Sequence, residues 1–144
     1  MATGPMAVKV DATAVYPILR YTVADGTQIS RGYILQLSDP VTAVKGEAPG
    51  STPAGTNGIP VGIAAMEKEA SDTSTSISVW TGGRFDLRAS GAIVKGQKVI
   101  MAGQNEVMAA SLVHSEASYG YILGIAEETA TDQEVIVVRL NIGA

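Results

Sequence analysis

Ile59-Pro60-Val61-Gly62-Ile63-Ala64 and Tyr121-Ile122-Leu123-Gly124-Ile125-Ala126 are the stretches whose reading decides the fold. A glycine inside an apolar run of this length weakens a strand. It stays where the chain bulges, bends or lets another backbone come close. The same surroundings recur around both stretches. Upstream of the first lies Gly26-Thr27-Gln28-Ile29-Ser30-Arg31-Gly32-Tyr33-Ile34-Leu35, then a polar turn and Val41-Thr42-Ala43. Upstream of the second lies Gly91-Ala92-Ile93-Val94-Lys95-Gly96-Gln97-Lys98-Val99-Ile100, then a polar turn and Val107-Met108-Ala109. Downstream, Ile77-Ser78-Val79 matches Val135-Ile136-Val137. Gly32 and Gly96 fall where a tight turn enters a strand and a positive φ is needed. The chain is thus built of two related halves, expected to pack together into one pseudo-symmetric barrel.

The hydrophobic period elsewhere is two. Leu19, Tyr21 and Val23 alternate with Arg20 and Thr22, and Ile77 and Val79 alternate with Ser76 and Ser78. Val135 to Leu140 is a continuous β-branched run, as in a strand covered on both faces. Turn signals separate these runs at Asp25-Gly26, Ser38-Asp39-Pro40, Gly82-Gly83, Ser90-Gly91 and Gly103-Gln104-Asn105. The reading is all-β: a compact β-barrel or β-sandwich of about ten short strands. One stretch, Glu106 to His114, also fits a helical face through Val107, Ala110 and His114. Residues 1–17 are expected to form an extended N-terminal arm or edge strand ahead of a single barrel domain over 18–144. Residues 44–58, rich in Gly, Pro, Ser and Thr, are expected to form a surface loop.

Composition excludes several function classes. The chain has 144 residues and no cysteine, and only 17% of its residues are charged, against about 25% in an average globular protein. A disulfide scaffold and a cysteine zinc site are ruled out. With 10 basic against 14 acidic residues, no nucleic-acid partner is expected. No apolar run approaches the ~20 residues that span a bilayer, and no signal-peptide pattern opens the chain, so no membrane partner is expected. A surface so poor in charge suits burial against other subunits.

Chemistry is scarce. His114 is the single histidine, and no Gly-x-Ser-x-Gly elbow accompanies it. The acidic groups Glu67, Glu69 and Asp72, and Glu127, Glu128, Asp132 and Glu134, follow the two Gly-Ile-Ala strands. They read as solvated hairpin loops rather than calcium sites. The glycines of the 44–58 loop lack phosphate-binding spacing. Ser90 to Gln97 is superficially similar to lipoyl and biotinyl carrier domains, but the modified-lysine hairpin has only Glu67-Lys68-Glu69 as a partial counterpart. No enzymatic activity, cofactor or metal is expected.

Pro60-Val61-Gly62-Ile63-Ala64, Val79-Trp80-Thr81-Gly82-Gly83 and Gly91-Ala92-Ile93-Val94-Lys95-Gly96 together carry a resemblance. From about Tyr21 to Leu140 the chain resembles the capsid decoration, or cement, proteins of tailed bacteriophages. The resemblance implies a β-barrel or β-tulip subunit on the outer capsid surface of the virion, commonly a homotrimer, with the major capsid protein as its partner and no catalysis. It implies stabilisation of the head by bridging neighbouring capsomers. Val8, Lys9 and Val10 are the candidate bridging residues, through strand addition to an exposed edge. Trp80 and Arg84 are candidate capsid or subunit contacts, and Gly32, Gly62, Gly96 and Gly124 are structural. The alternative is a carbohydrate- or ligand-binding β-module on a fibre or surface, with Trp80, Arg84 and Phe85 as its platform. One Trp, five Tyr and one Phe leave few aromatics for such a site.

Overall fold

The computed structural model describes residues 18–38, 42–46, 58–110 and 120–142. All ten of its regular elements are strands: β1 (Ile18–Thr22), β2 (Ile34–Ser38), β3 (Thr42–Lys45), β4 (Pro60–Ala64), β5 (Ser76–Trp80), β6 (Gly82–Ala89), β7 (Lys98–Met101), β8 (Glu106–Ala109), β9 (Ile122–Ala126) and β10 (Val135–Asn141). They close into two five-stranded barrels, β1-β3-β2-β4-β5 and β6-β8-β7-β9-β10. The two orders are the same path traced twice. In both units the first and third strands run parallel and touch over only one or two residues, at Thr22 with Thr42 and at Arg88 and Ala89 with Glu106 and Val107.

The expectation that the halves would jointly close one barrel is therefore corrected: each half closes its own. The glycine pattern begins at Gly26 and Gly91 and so leaves out the opening strand of each unit. Adding β1 and β6 gives five strands per unit, and their interiors fill with side chains alone. The helical reading of Glu106 to His114 also gives way. Glu106–Ala109 is β8, paired antiparallel with β7, while His114 lies outside the described residues. Four residues after a Gly-Gln-Asn turn make a hairpin strand, and Val107 then points into the core beside Met101.

The first barrel is filled by Val23, Ile29, Leu35, Ala43, Val61, Ala64, Ile77 and Val79. The second holds Phe85, Leu87, Val99, Met101, Val107, Leu123, Ile136 and Val138, among others. That second cluster also contains Ile34, Ile63 and Trp80 of the first barrel, with Ile18 packed against it. These four residues form one cross-strand row, Ile18 beside Trp80, Trp80 beside Ile63 and Ile63 beside Ile34. Side chains alternate across a strand, so the row lies on the outer face of the first barrel, opposite Leu35 and Val79. The barrels are joined covalently by Thr81 alone, and Ile34 N–H donates to Gln104 O at 2.7 Å across the junction.

Candidate interaction surface

The repeated glycines do the same work in both units. A Cβ on Gly62 would run into the Trp80 carbonyl oxygen, and one on Gly124 into that of Arg139. Beside each glycine the ladder slips by a residue, between Leu35 and Gln36 and between Val99 and Ile100. Gly32 and Gly96 have φ of +92° and +89°, and their N–H groups donate to Ala64 O and Ala126 O at 2.9 and 2.8 Å.

Around the second barrel Glu127, Glu128, Asp132 and Glu134 are tied into the scaffold. Arg84, alternating outward on β6, donates from Nε to Glu127 Oε1 at 2.8 Å, and Arg139 Nη1 stands 3.5 Å from Glu127 Oε2. The neighbouring Glu128 accepts from Val137 N–H at 2.8 Å. Asp132 accepts from Gly91 N–H at 2.7 Å, and this bond holds its carboxyl below the ordinary 3.8. Glu134 accepts from Thr131 N–H at 2.7 Å, which likewise lowers it from 4.5. In the first barrel, Glu67 accepts from Arg31 N–H and Asp72 from Ser74 N–H. The two acidic loops are thus clips that pin hairpins, and among the described residues no cluster of three such groups could hold a metal ion.

Arg84, Lys95, Glu127 and Glu128 line an open groove of about 690 Å³ floored by Gly96, Ala126 and Val137. Its width and its mixed charges suit a flat polar contact better than an enclosed ligand. Of the residues singled out in the sequence, Arg84 is at the surface. Trp80 is buried in the row between the barrels, and Phe85 is buried inside the second. The proposed stacking platform is therefore not formed, because neither ring offers a face to solvent. Val8, Lys9 and Val10 lie outside the described residues, as does the 44–58 loop except for residues 44–46 and 58. Gly58 N–H donates to the buried Gln36 side chain at 2.8 Å, anchoring the far end of that loop.

Two features escaped the sequence reading. Lys68 is buried, with its Nζ donating to Asp72 O at 2.8 Å. Leu19 and Leu37, at inward positions of the first barrel, are 52% and 40% exposed. Laying one unit over the other would have raised both: Lys68 stands where the second unit has Ala130, and Leu19 and Leu37 where it has Phe85 and Met101.

A family model described as phage cement protein matches residues 14–142, which takes in both barrels and every described strand. The chain belongs to the phage cement protein family. As a member of it, the protein is a structural component of a phage virion. No curated protein matches. Among solved structures, the head fiber gp8.5 N base in bacteriophage phi29 is similar, at 12% identity over 86% of this chain and 94% of that one, with a TM-score of 0.49.

Proposed function

We propose that this cement protein binds the outer surface of an assembled phage head and stabilises it by bridging neighbouring capsomers, with the major capsid protein as its partner. The observation that carries this reading is the family match across both barrels. The charge-poor composition supports it, since surfaces that meet other subunits are depleted of charge at their centres.

The mechanism is energetic. A head under internal pressure fails where capsomers part, and a bridging protein must be released first, so its binding free energy adds to the work of rupture. A homotrimer would multiply the effect, because each bound subunit holds the next near its site. The segment with Val8, Lys9 and Val10 is the proposed bridging element, adding a strand to an exposed edge on a neighbour. Arg84, exposed at the groove, is a proposed polar contact. Trp80 supports the surface from within, since its ring is enclosed between the barrels.

Co-sedimentation of purified protein with expanded and unexpanded heads tests the reading. Saturable binding to heads, with a raised temperature of genome release, is expected; absence of binding to both forms would overturn it. A variant lacking residues 1–14 that binds and stabilises heads undiminished would remove the arm from the mechanism. Light scattering that gives only the 14.8 kDa mass in solution would place trimer formation on the head.

A further inference from the structure

The two units share one hydrogen-bond register, so their residues correspond position by position. Val23 N–H donates to Thr75 O as Ala89 N–H does to Glu134 O. On the outer face of the first barrel, Ile18, Trp80, Ile63 and Ile34 stand side by side across β1, β5, β4 and β2. Their counterparts on the second barrel are Arg84, Arg139, Ile125 and Lys98, side by side across β6, β10, β9 and β7. With neighbouring strands about 4.8 Å apart, this second row runs roughly 14 Å along the sheet.

The first row is an interface. It packs into the same cluster as Phe85 and Met101 and so seats the second barrel on the first. The second row holds the same place on its own barrel, yet among the described residues nothing is seated on it. Arg84, Arg139 and Lys98 are exposed, and Ile125 is half-buried. Cations at three of the four positions keep the geometry of a docking face and change what it accepts.

The charges decide the partner's chemistry. Glu127 is shared by both arginines, at 2.8 Å from Arg84 Nε and 3.5 Å from Arg139 Nη1, which leaves one positive charge over. Lys98, and Lys95 at the adjoining groove, make no ion pair among the described residues. Four of the chain's ten basic residues thus gather on one face of a protein with a net charge of −4. Such a face attracts and orients an acidic surface. A run of phosphates fits it less well, because Glu127 lies between the arginines and Glu128 lines the groove beside them.

A second copy is also a poor occupant. Its carboxylates at Glu67, Asp72, Glu128, Asp132 and Glu134 already accept backbone N–H groups in their own unit. The end of its first barrel, which would continue the stacking, presents Leu19 and Leu37. Seating three cations on leucines would strip their hydration without providing partners.

We infer that the outer face of the second barrel around Ile125, bearing Arg84, Lys98 and Arg139, docks on a carboxylate-bearing surface of the head's shell protein. The inference rests on the proposed head binding, and it adds which face makes the contact and what chemistry that face meets. Separate carboxylates opposite Lys98 and opposite the arginine pair, with a small apolar contact at Ile125, would complete the row.

Co-sedimentation with isolated heads at low and raised salt tests it. The full-length protein is expected to bind about tenfold more weakly at about 300 mM salt than at about 50 mM, since exposed charges are screened. Arg139→Glu with Lys98→Glu should weaken binding at low salt about tenfold or more and abolish its weakening by salt. Arg20→Glu with Arg31→Glu carries the same net charge but alters the first barrel, and it should bind as the parent does. So should the exchange Arg139→Lys with Lys98→Arg. Arg139→Gln with Lys98→Gln gives the same readout at smaller size should the reversed chain fail to fold. If heads bind the parent and both double-glutamate variants equally, the inference is overturned while head binding stands. If they bind none of them, head binding falls and the inference with it. Self-association of the free protein at low salt that the reversal abolishes would overturn it in favour of a second copy. Binding to a duplex DNA fragment, lost on the same reversal, would overturn it in favour of nucleic acid.

Discussion

Gly124→Ala isolates the cost of one methyl group. Gly124 lies opposite Leu140 in the β9–β10 ladder, and its φ is not in the left-handed region, so alanine meets no conformational penalty of its own. What it meets is backbone. The new Cβ would overlap the Arg139 carbonyl oxygen and stand 3.0 Å from both the Arg139 carbonyl carbon and Leu140 Cα. These atoms belong to a seven-residue strand paired on both sides, with β6 and with β9. No side chain can rotate away, and relief requires β10 to move as a whole. Overpacking of this kind costs about 1–3 kcal/mol, and a rigid neighbour places it near the upper end. At about 2–4 °C per kcal/mol for a chain of this size, 3 kcal/mol lowers the melting temperature by about 6–12 °C. Gly103→Ala is the matched control, with nothing within 4 Å of its Cβ and no positive φ; a surface change of that sort stays within about 0.5 kcal/mol. Urea titration of both variants, with the slope checked for constancy, measures the difference. If Gly124→Ala loses no more than Gly103→Ala, then close approach is not what keeps glycine in the strand.

Trp80→Ala should cost about 3–5 kcal/mol as a buried aromatic truncation; because that ring joins the two cores, calorimetry should also show the single transition broadening or splitting. Lys68→Met places an apolar chain of similar length where the buried Nζ, among the described residues, donates one hydrogen bond, to the Asp72 carbonyl. The variant should be at least as stable as the parent in urea, by up to ~2 kcal/mol, since a buried polar group with few hydrogen-bond partners is costly; a loss of stability would show that the lysine organises its loop. Asp132 and Glu134 are held below 3.8 and 4.5 by the N–H groups of Gly91 and Thr131. Groups with depressed folded values add stability that is present above their ordinary values and lost as pH falls through the folded ones. The urea midpoint should therefore drop between pH 5 and pH 3, and Asp132→Asn with Glu134→Gln should flatten that drop.

Much of this architecture was legible in the glycines. Gly62 and Gly124 are forced by backbone approach, Gly32 and Gly96 by a left-handed turn, and constraints of that kind leave the same residue in both units whatever surrounds them. The place of the opening strands in the repeat was not legible. Ile18-Leu19-Arg20-Tyr21-Thr22 and Arg84-Phe85-Asp86-Leu87-Arg88 share only their alternation, and the Gly82-Gly83 pair that opens the second has no counterpart ahead of the first. Without them each unit has four strands, too few to close, and one joint barrel is the natural reading. Trp80 was ambiguous for a related reason: an aromatic at the last position of one unit belongs by pattern to its outer face. Only the second barrel lying against that face makes it interior. The acidic loops looked like solvent-exposed charge, and their role as hairpin clips depends on cross-loop distances no spacing records.

The register around Thr81 has a further practical consequence. Ile18 is paired with Trp80 and Asn141 with Gly82, so the first and last strands of the described chain have their outer ends side by side at the one-residue link. Attachments at either end of the barrel pair therefore leave from one place, while both hairpin-rich ends stay clear. A passenger domain fused after Ile142 would leave beside the start of β1 and the one-residue link. A pull applied between the two ends would load Trp80 and Gly82 first, before any hairpin felt it.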